Sequence, residues 1–173
     1  MQSTMLSRER KWYAVYTKPR WEKKSDNILL QKGIESWCPV QKVERQWSDR
    51  KKIIEVPLFR SYVFVRINEM ERIAVLDTDG IINFIHYLGK PAIIRDEEIE
   101  IIKQYLLMPG TTIQVTGMQA LKEKTRVKIK GGIFMDNEGE VLRTGKKKVY
   151  VQLDTLGQVL VVEFPIEYLL PIQ

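Results

Sequence analysis

Catalysis needs particular side chains at particular spacings, and few of the 173 residues of this chain offer them. There is one His and one Cys. A reaction built on a histidine base would fall to His86, and one built on a thiolate to Cys38. One Cys with one His cannot make a zinc site of the usual Cys/His kind, and a lone Cys has no internal disulfide partner. Cys38 lies between Trp37 and Pro39 in a run that reads as a strand. Nothing near it in sequence would lower its pKa, so it reads as a structural core thiol. His86, in an apolar strand, reads as a satisfied, half-buried residue. Asp96, Glu97 and Glu98 imitate a carboxylate cluster, but acids at the start of a helix are what the helix dipole favours.

Phosphate and calcium loops fail on spacing. A phosphate loop needs Gly, four residues, then Gly-Lys-Ser/Thr. Here five residues separate Gly139 from Gly145-Lys146, and Lys147 stands where the hydroxyl belongs. The stretch reads as a basic β-turn. Residues 136–140 (DNEGE) miss the calcium-loop spacing, and no G-x-S-x-G elbow exists. No cofactor is implied, and the chain reads as one that binds rather than catalyses.

Charge says more. The net charge is +6. Residues 1–72 hold 16 Lys or Arg against 9 Asp or Glu, residues 73–108 hold 3 against 6, and residues 109–173 hold 9 against 7. The positive excess is therefore in the first 72 residues. Such a surface attracts phosphate backbones through counterion release; the competing reading is an ordinary solvated face. No apolar run approaches the roughly 18–20 residues that cross a bilayer. MQSTMLSRER at the start lacks the apolar core of a secretory signal. A cytoplasmic protein with no membrane contact is expected.

The elements that must position these residues follow from periodicity. KWYAVY (11–16) alternates, with Trp12, Ala14 and Tyr16 on one face and Tyr13 and Val15 on the other, as in a strand. Pro19 suits the first turn of a helix capped by Thr17 or Lys18, and Gly33 suits its end. Residues 35–43, 52–56 and 61–67 read as strands, with the polar VERQWSDRKK between the first two as an exposed hairpin or loop. Asn68 and Glu71 have the spacing of a capping pair ahead of a second helix. Residues 81–87 form a short β-rich run. Gly89 and Pro91 then turn the chain into a third helix capped by Asp96, with Ile99, Ile102 and Leu106 on its buried face. Strands and helices so mixed predict an α+β sheet domain over residues 1–108. Residues 109–120, with few charges and two Gly, read as a linker. Beyond it, RVKIK, EVLR, KVYVQL and QVLVVEF are short alternating runs between turns. They predict a small β-barrel over residues 121–173.

WYAVY at 12–16 and PLFRSYVFVRI at 57–67 resemble the two signature strands of the NusG/Spt5 transcription-factor family, and PAIIRDEEI at 91–99 resembles the end of its N-terminal (NGN) domain. LKEKTRVKIKGGIFMDNEGEVLRTGKKKVYVQLDTLGQVLVVEF (121–164) resembles a KOW module. The resemblance covers nearly the whole chain, in the family's order. It implies an NGN-type antiparallel sheet with flanking helices, then an SH3-like KOW barrel. It also implies a monomeric elongation and antitermination factor that docks on the clamp helices of the RNA polymerase β′ subunit, bridges to the β side and opposes pausing.

The apolar docking pocket would correspond to Tyr16, Phe59, Tyr62 and Phe64, and the contact with the opposite jaw to Glu71 and Arg72. Tyr62 and Phe64 share one face of their strand. Periodicity alone favours core residues under a helix; the resemblance reverses that for Phe59 and Tyr62, and less so for Phe64, in favour of a partner anchor. Phe59-Arg60-Ser61-Tyr62 departs from the family's usual Phe-Pro-Gly-Tyr. The compact TKPRWEKK segment is similar to specialised paralogs of the RfaH and UpxY kind, which read non-template DNA at particular operons. By that likeness Lys18 matches a basic DNA-contacting position, with Arg20, Lys23 and Lys24 beside it. Asp79 stands where those paralogs carry a basic residue. The KOW module would recruit a small-subunit ribosomal protein or Rho through Phe134 and Met135 and through Thr155 and Leu156. The alternative is a ribosome-associated or RNA-binding KOW-module protein.

Overall fold

The computed structural model describes residues 8–117, 127–128, 138–141, 146–153 and 157–165. The chain divides into two units, 1–99 and 100–173. The first is organised on strand β1 (Lys11–Thr17). Trp12, Tyr13, Ala14 and Val15 are all buried, so both faces of this strand are covered. Helix α1 (Glu22–Gln31) follows, then β2 (Glu35–Trp37), β3 (Val40–Gln46), β4 (Lys51–Pro57) and β5 (Tyr62–Ile67). A 3₁₀ turn (Glu69–Glu71) leads into α2 (Arg72–Leu76). Then come β6 (Ile81–Phe84), β7 (His86–Tyr87), β8 (Lys90–Pro91), β9 (Ile93–Ile94) and α3 (Asp96–Leu107).

The sheet runs β2-β5-β1-β6, with β9 sharing the β6 edge of β1. All its pairings are antiparallel. The register Tyr13↔Val65 and Val15↔Val63 puts these four side chains on one face. There they join Ile67, Phe84, Leu29 and Ile34 of the α1 end, Cys38 and Val75 of α2 in one buried cluster. Each such aliphatic or aromatic side chain contributes about 1.5–3 kcal/mol by leaving water. Among the helices of this unit, α1 and α2 therefore cover one face. The strands β3 and β4 pair only with each other, as a ribbon outside the main sheet.

Helix boundaries differ from the sequence expectation in two places. Helix α1 begins at Glu22, not near Pro19, and neither Thr17 nor Lys18 caps it. The Lys18 N–H is taken by the Gly80 carbonyl (2.8 Å), Trp21 N–H returns to the Lys18 carbonyl (3.1 Å), and Arg20 is left-handed at φ 67°. TKPR is thus a turn ahead of the helix. The α1 end does follow expectation: Gly33 sits at φ +76°. The Ile34 N–H reaches the Leu29 carbonyl, and the Gly33 N–H that of Leu30, both at 3.0 Å. This is the double closure that a left-handed glycine permits. The Asn68–Glu71 box is complete, with Asn68 Oδ1 accepting from Glu71 N–H (3.1 Å) and Glu71 Oε2 from Asn68 N–H (2.9 Å). Asp96 is the first helical residue of α3 and not its cap. There Glu98 Oε2 accepts from the Arg95 N–H at 3.1 Å, one residue earlier than expected.

In the second unit, β10 (Thr112–Gly117), β11 (Val127–Lys128), β12 (Glu138–Val141), β13 (Lys146–Leu153) and β14 (Gln158–Pro165) form an antiparallel sheet. Its order is β10-β14-β13-β12-β11. The chain is α+β, an antiparallel sheet domain with flanking helices followed by a five-stranded β module. Residues 112–117, expected within a linker, are a strand of this sheet. The low charge and two glycines of 109–120 hid an alternating Ile113 and Val115. Ile113 is buried and pairs with the buried Val162. Among the described residues no helix is long and apolar enough to cross a membrane.

Candidate functional site

On the sheet face opposite the buried cluster, the register places Tyr16 across from Tyr62, and Ala14 and Trp37 across from Phe64 on its two sides. Small Ala14 leaves room for a continuous row of rings. Centroid separations are 5.9 Å for Trp37–Phe64, 5.3 Å for Phe64–Phe59, 6.4 Å for Phe59–Tyr62 and 5.0 Å for Tyr62–Tyr16. These are distances at which aromatic pairs attract. Phe64 (0%) and Phe59 (1%) are the buried floor, Tyr62 is half-buried and Tyr16 is 41% exposed. The Tyr62 hydroxyl donates to that of Tyr16 at 3.3 Å. Burial, and then this hydrogen bond, hold the Tyr62 hydroxyl protonated well above a tyrosine's ordinary range. The arrangement gives an apolar base with two phenol groups at its lip, a surface that can receive an apolar partner and orient it by hydrogen bonds.

A turn fixes the row. Ser61 is left-handed at φ 60°. Its N–H donates to buried Glu22 Oε1 at 2.7 Å, and its carbonyl accepts from Thr17 N–H at 2.9 Å. The carboxylate at the start of α1 therefore sets the loop that presents Phe59 and Tyr62. Sequence reading passed over Glu22; its signal was an acid in the first helical turn beside a serine where the backbone turns left-handed.

The second cluster is at the α1 start. Lys24 Nζ lies 4.0 Å, and Lys18 Nζ 5.6 Å, from the Trp21 ring. Arg20, exposed in its left-handed turn, immediately precedes Trp21. A cation-flanked indole is a surface on which a phosphate and a base can both be held. Lys23 is not part of it: its Nζ donates to the Glu55 carbonyl of β4 at 2.7 Å and stands 4.0 Å from the Glu55 carboxylate.

A profile described as "Transcription termination factor nusG" matches residues 10–103. The chain is 30% identical to the transcription termination/antitermination protein NusG of Streptococcus pyogenes, over 88% of this chain and 90% of that protein. It is 26% identical to the protein of the same name from Borreliella burgdorferi, over 92% and 97%. This chain belongs to the NusG family. In fold it is similar to a solved structure described as "Domain interaction in Thermotoga maritima NusG", with TM-score 0.53, 21% identity, and coverage of 90% of this chain and 97% of that one. The relatives' names assign the family to the control of transcription.

Within this NusG-family chain the remaining predicted residues have local partners. Glu71 completes the capping box with one oxygen and accepts from Arg10 Nη2 at 2.8 Å with the other. The Arg72 guanidinium lies 5.5 Å from the Phe84 ring. Phe134, Met135, Thr155 and Leu156 lie outside the described residues. Cys38 is buried, and its thiol is pushed up to about 12 by burial first and then by the Asp26 and Glu22 carboxylates. That suits a core thiol. His86 is exposed, contrary to expectation, with Nδ1 2.8 Å from the Phe84 carbonyl oxygen. It begins a two-strand excursion (β7–β8) that leaves the sheet edge, which an apolar run cannot reveal. Trp37 was also missed as a member of the row. Its signal was period two: register with Phe64 carries it to the same face.

Proposed function

We propose that the protein is an elongation and antitermination factor that binds RNA polymerase, suppresses pausing or termination at particular operons, and has no catalysis of its own. The observation that carries this reading is the Tyr16–Tyr62 pair standing at the open lip of a buried aromatic row, in a chain of this family. The lip receives the β′ clamp helices, with Phe59 and Phe64 as its rigid base. Glu71 and Arg72 face the opposite jaw, on the β side. Lys18, Arg20 and Lys24 around Trp21 hold non-template DNA, while Lys23 of α1 is tied to Glu55 of β4. The KOW module engages a small-subunit ribosomal protein or Rho. The likeness of TKPRWEKK to operon-specific paralogs supports a specialised role, and with Asp79 in place of a base its DNA preference differs from theirs.

The test is capture of purified core RNA polymerase by the intact chain and by Tyr62→Ala. Tyr62 is half-buried, so its truncation leaves the floor in place, and loss of a central aromatic anchor costs about 2 kcal/mol or more of binding. A drop of at least thirtyfold in affinity with an unchanged unfolding midpoint is expected. Equal capture of both proteins would refute the docking surface. Lys18→Ala/Lys24→Ala is expected to weaken recruitment to paused complexes more at low salt than at high salt; unchanged low-salt recruitment would remove the DNA contact.

A further inference from the structure

The open lip of the aromatic row has a further member besides Tyr16 and Tyr62. In the register of β1 with β6, Asn83 stands directly across from Tyr16, on the side away from Tyr62. Cross-strand partners share a face, with Cβ atoms about 4.5–5.5 Å apart. Asn83 therefore extends the lip by one residue, and it is exposed. Arg60, also exposed, lies in the turn between Phe59 of the floor and Tyr62.

What these groups offer a partner follows from what they have already spent. Asn83 Oδ1 accepts from the Phe84 N–H at 2.8 Å. A backbone N–H can only donate, so the amide oxygen, not the nitrogen, must face it. The Nδ2 group, with its two N–H donors, is what remains. Tyr16 and Tyr62 share one hydrogen bond. It uses one of their two protons and leaves the other to donate. The Arg60 guanidinium carries donors and no acceptor. Among the described residues, no hydrogen bond or ion pair uses Asn83 Nδ2 or the Arg60 guanidinium. The strand positions at the lip, 16, 62 and 83, bring no carboxylate. Glu35 is on the same face but at its far end, 3.8 Å from Arg66. Glu22, which meets the turn, is buried and already holds the Ser61 N–H. The lip is thus an apolar surface edged by unspent donors and one positive charge.

We propose that the lip recognises a carboxylate, an Asp or Glu side chain set within an apolar patch of the partner. The apolar part settles on the Tyr16 and Tyr62 rings. The carboxylate receives the Asn83 Nδ2–H, the remaining phenol proton and the Arg60 guanidinium. This rests on the docking reading above and gives it a chemistry: the occupant is an acidic residue on the clamp helices of the polymerase. A helix spends its backbone carbonyls internally except in its last turn, so a helical partner must bring its acceptors on side chains. A carboxylate has two oxygens and about four lone-pair sites, enough for donors arriving from two sides. An amide side chain would satisfy Asn83 and the phenol, but only an anion answers Arg60 with a charge-assisted bond.

The experiment is capture of purified core RNA polymerase by the full-length parent, Tyr62→Ala, Asn83→Asp and Arg60→Gln, with an unfolding midpoint for each. Asn83→Asp is nearly isosteric and keeps an oxygen for the Phe84 N–H, so an unchanged midpoint is expected. It replaces two donors with an acceptor and a negative charge. Facing a carboxylate, it is expected to weaken capture at least tenfold. Arg60→Gln is expected to weaken capture by about three- to tenfold and to lessen its dependence on salt. Polymerase whose clamp-helix acids are changed to amides, one at a time, completes a double-mutant cycle. At one position the loss caused by Asn83→Asp is expected to shrink to about threefold or less. If Tyr62→Ala loses capture while Asn83→Asp binds within about twofold of the parent, the docking reading stands and the carboxylate is refuted. If no clamp-helix amide relieves Asn83→Asp, the carboxylate is refuted as well. If Tyr62→Ala itself binds like the parent, both readings fall.

Discussion

Gly80 is where a single methyl group tests the packing of the first unit. It is buried at φ +87°, and an added Cβ would overlap Ser25 Oγ and Trp21 Cε3, with Trp21 Cδ2 at 3.0 Å. The backbone has little freedom to retreat. The Gly80 carbonyl holds the Lys18 N–H at 2.8 Å, and the adjacent Asp79 carbonyl holds Ser25 Oγ at 3.1 Å. Gly80→Ala therefore meets two costs: about 1–2 kcal/mol for an L-residue in left-handed backbone and about 1–3 kcal/mol for overpacking. The sum, about 2–5 kcal/mol, is a large share of the roughly 5–15 kcal/mol that holds a domain together. For a unit near 100 residues it corresponds to a fall in Tm of about 10–30 °C. All four Trp, at 12, 21, 37 and 47, lie in residues 1–99, so intrinsic fluorescence reports this unit alone. Thermal and urea unfolding of the full chain followed at the Trp emission is the assay. A shift smaller than about 3 °C would refute the reasoning, since it would mean that Trp21 and Ser25 are not seated on Gly80.

Ser61→Gly relieves a left-handed serine without touching its N–H bond to Glu22; the same fluorescence midpoint is expected to rise by up to about 1 kcal/mol of stability, and a fall would show that the turn does not strain Ser61. Asn68→Ala removes the acceptor for two N–H groups and is expected to cost about 1 kcal/mol by urea titration. At pH 8 the Cys38 thiol, raised from 9.0 to about 12, is expected to react with a disulfide reagent about a thousandfold more slowly in the folded chain than in urea. The folded state keeps a proton that the unfolded state releases, so stability from this group is full below pH 9 and is lost as pH rises toward 12. Alkaline unfolding of Cys38→Ser compared with the parent measures that difference.

The fold was legible where local rules decide it. The spacing of Asn68 and Glu71 gave the capping box, Gly33 gave the α1 stop, and alternation gave β1 and β5. What escaped was settled by partners distant in sequence. Helix α1 starts late because Gly80, some sixty positions on, takes the Lys18 N–H. Residues 112–117 became a strand because β14 offered an edge, and the weak turn signals of 109–120 could not show that. The aromatic row was legible only in part. Alternation puts Tyr62 and Phe64 together, but Trp37 and Phe59 reach them through strand pairing and a turn. The cation–indole cluster was half visible: the basic residues stood out, while the role of Trp21 between them depended on the turn that precedes the helix.

That row also explains why core and docking surface were indistinguishable in the sequence. Both readings of Tyr62 and Phe64 describe the same face of the same strand, and the difference lies only in how far each ring is from the lip. Phe59 and Phe64 have no surface to offer, so truncating either to Ala would cost about 3–5 kcal/mol of folding stability. Lost binding in such a variant would say nothing about contact. Tyr16 and Tyr62 differ because each exposes part of its ring and their hydroxyls meet, so they can be altered with the floor intact. A partner that settles on the lip is therefore held against a surface already rigid, and loses little further entropy in the protein on binding. The same rigidity runs through Ser61 to Glu22 and into α1, the helix whose N-cap is Trp21, flanked by Lys18 and Lys24. On the proposed reading, protein docking and nucleic-acid contact share one framework, and a change in the Glu22–Ser61 link is expected to reach both.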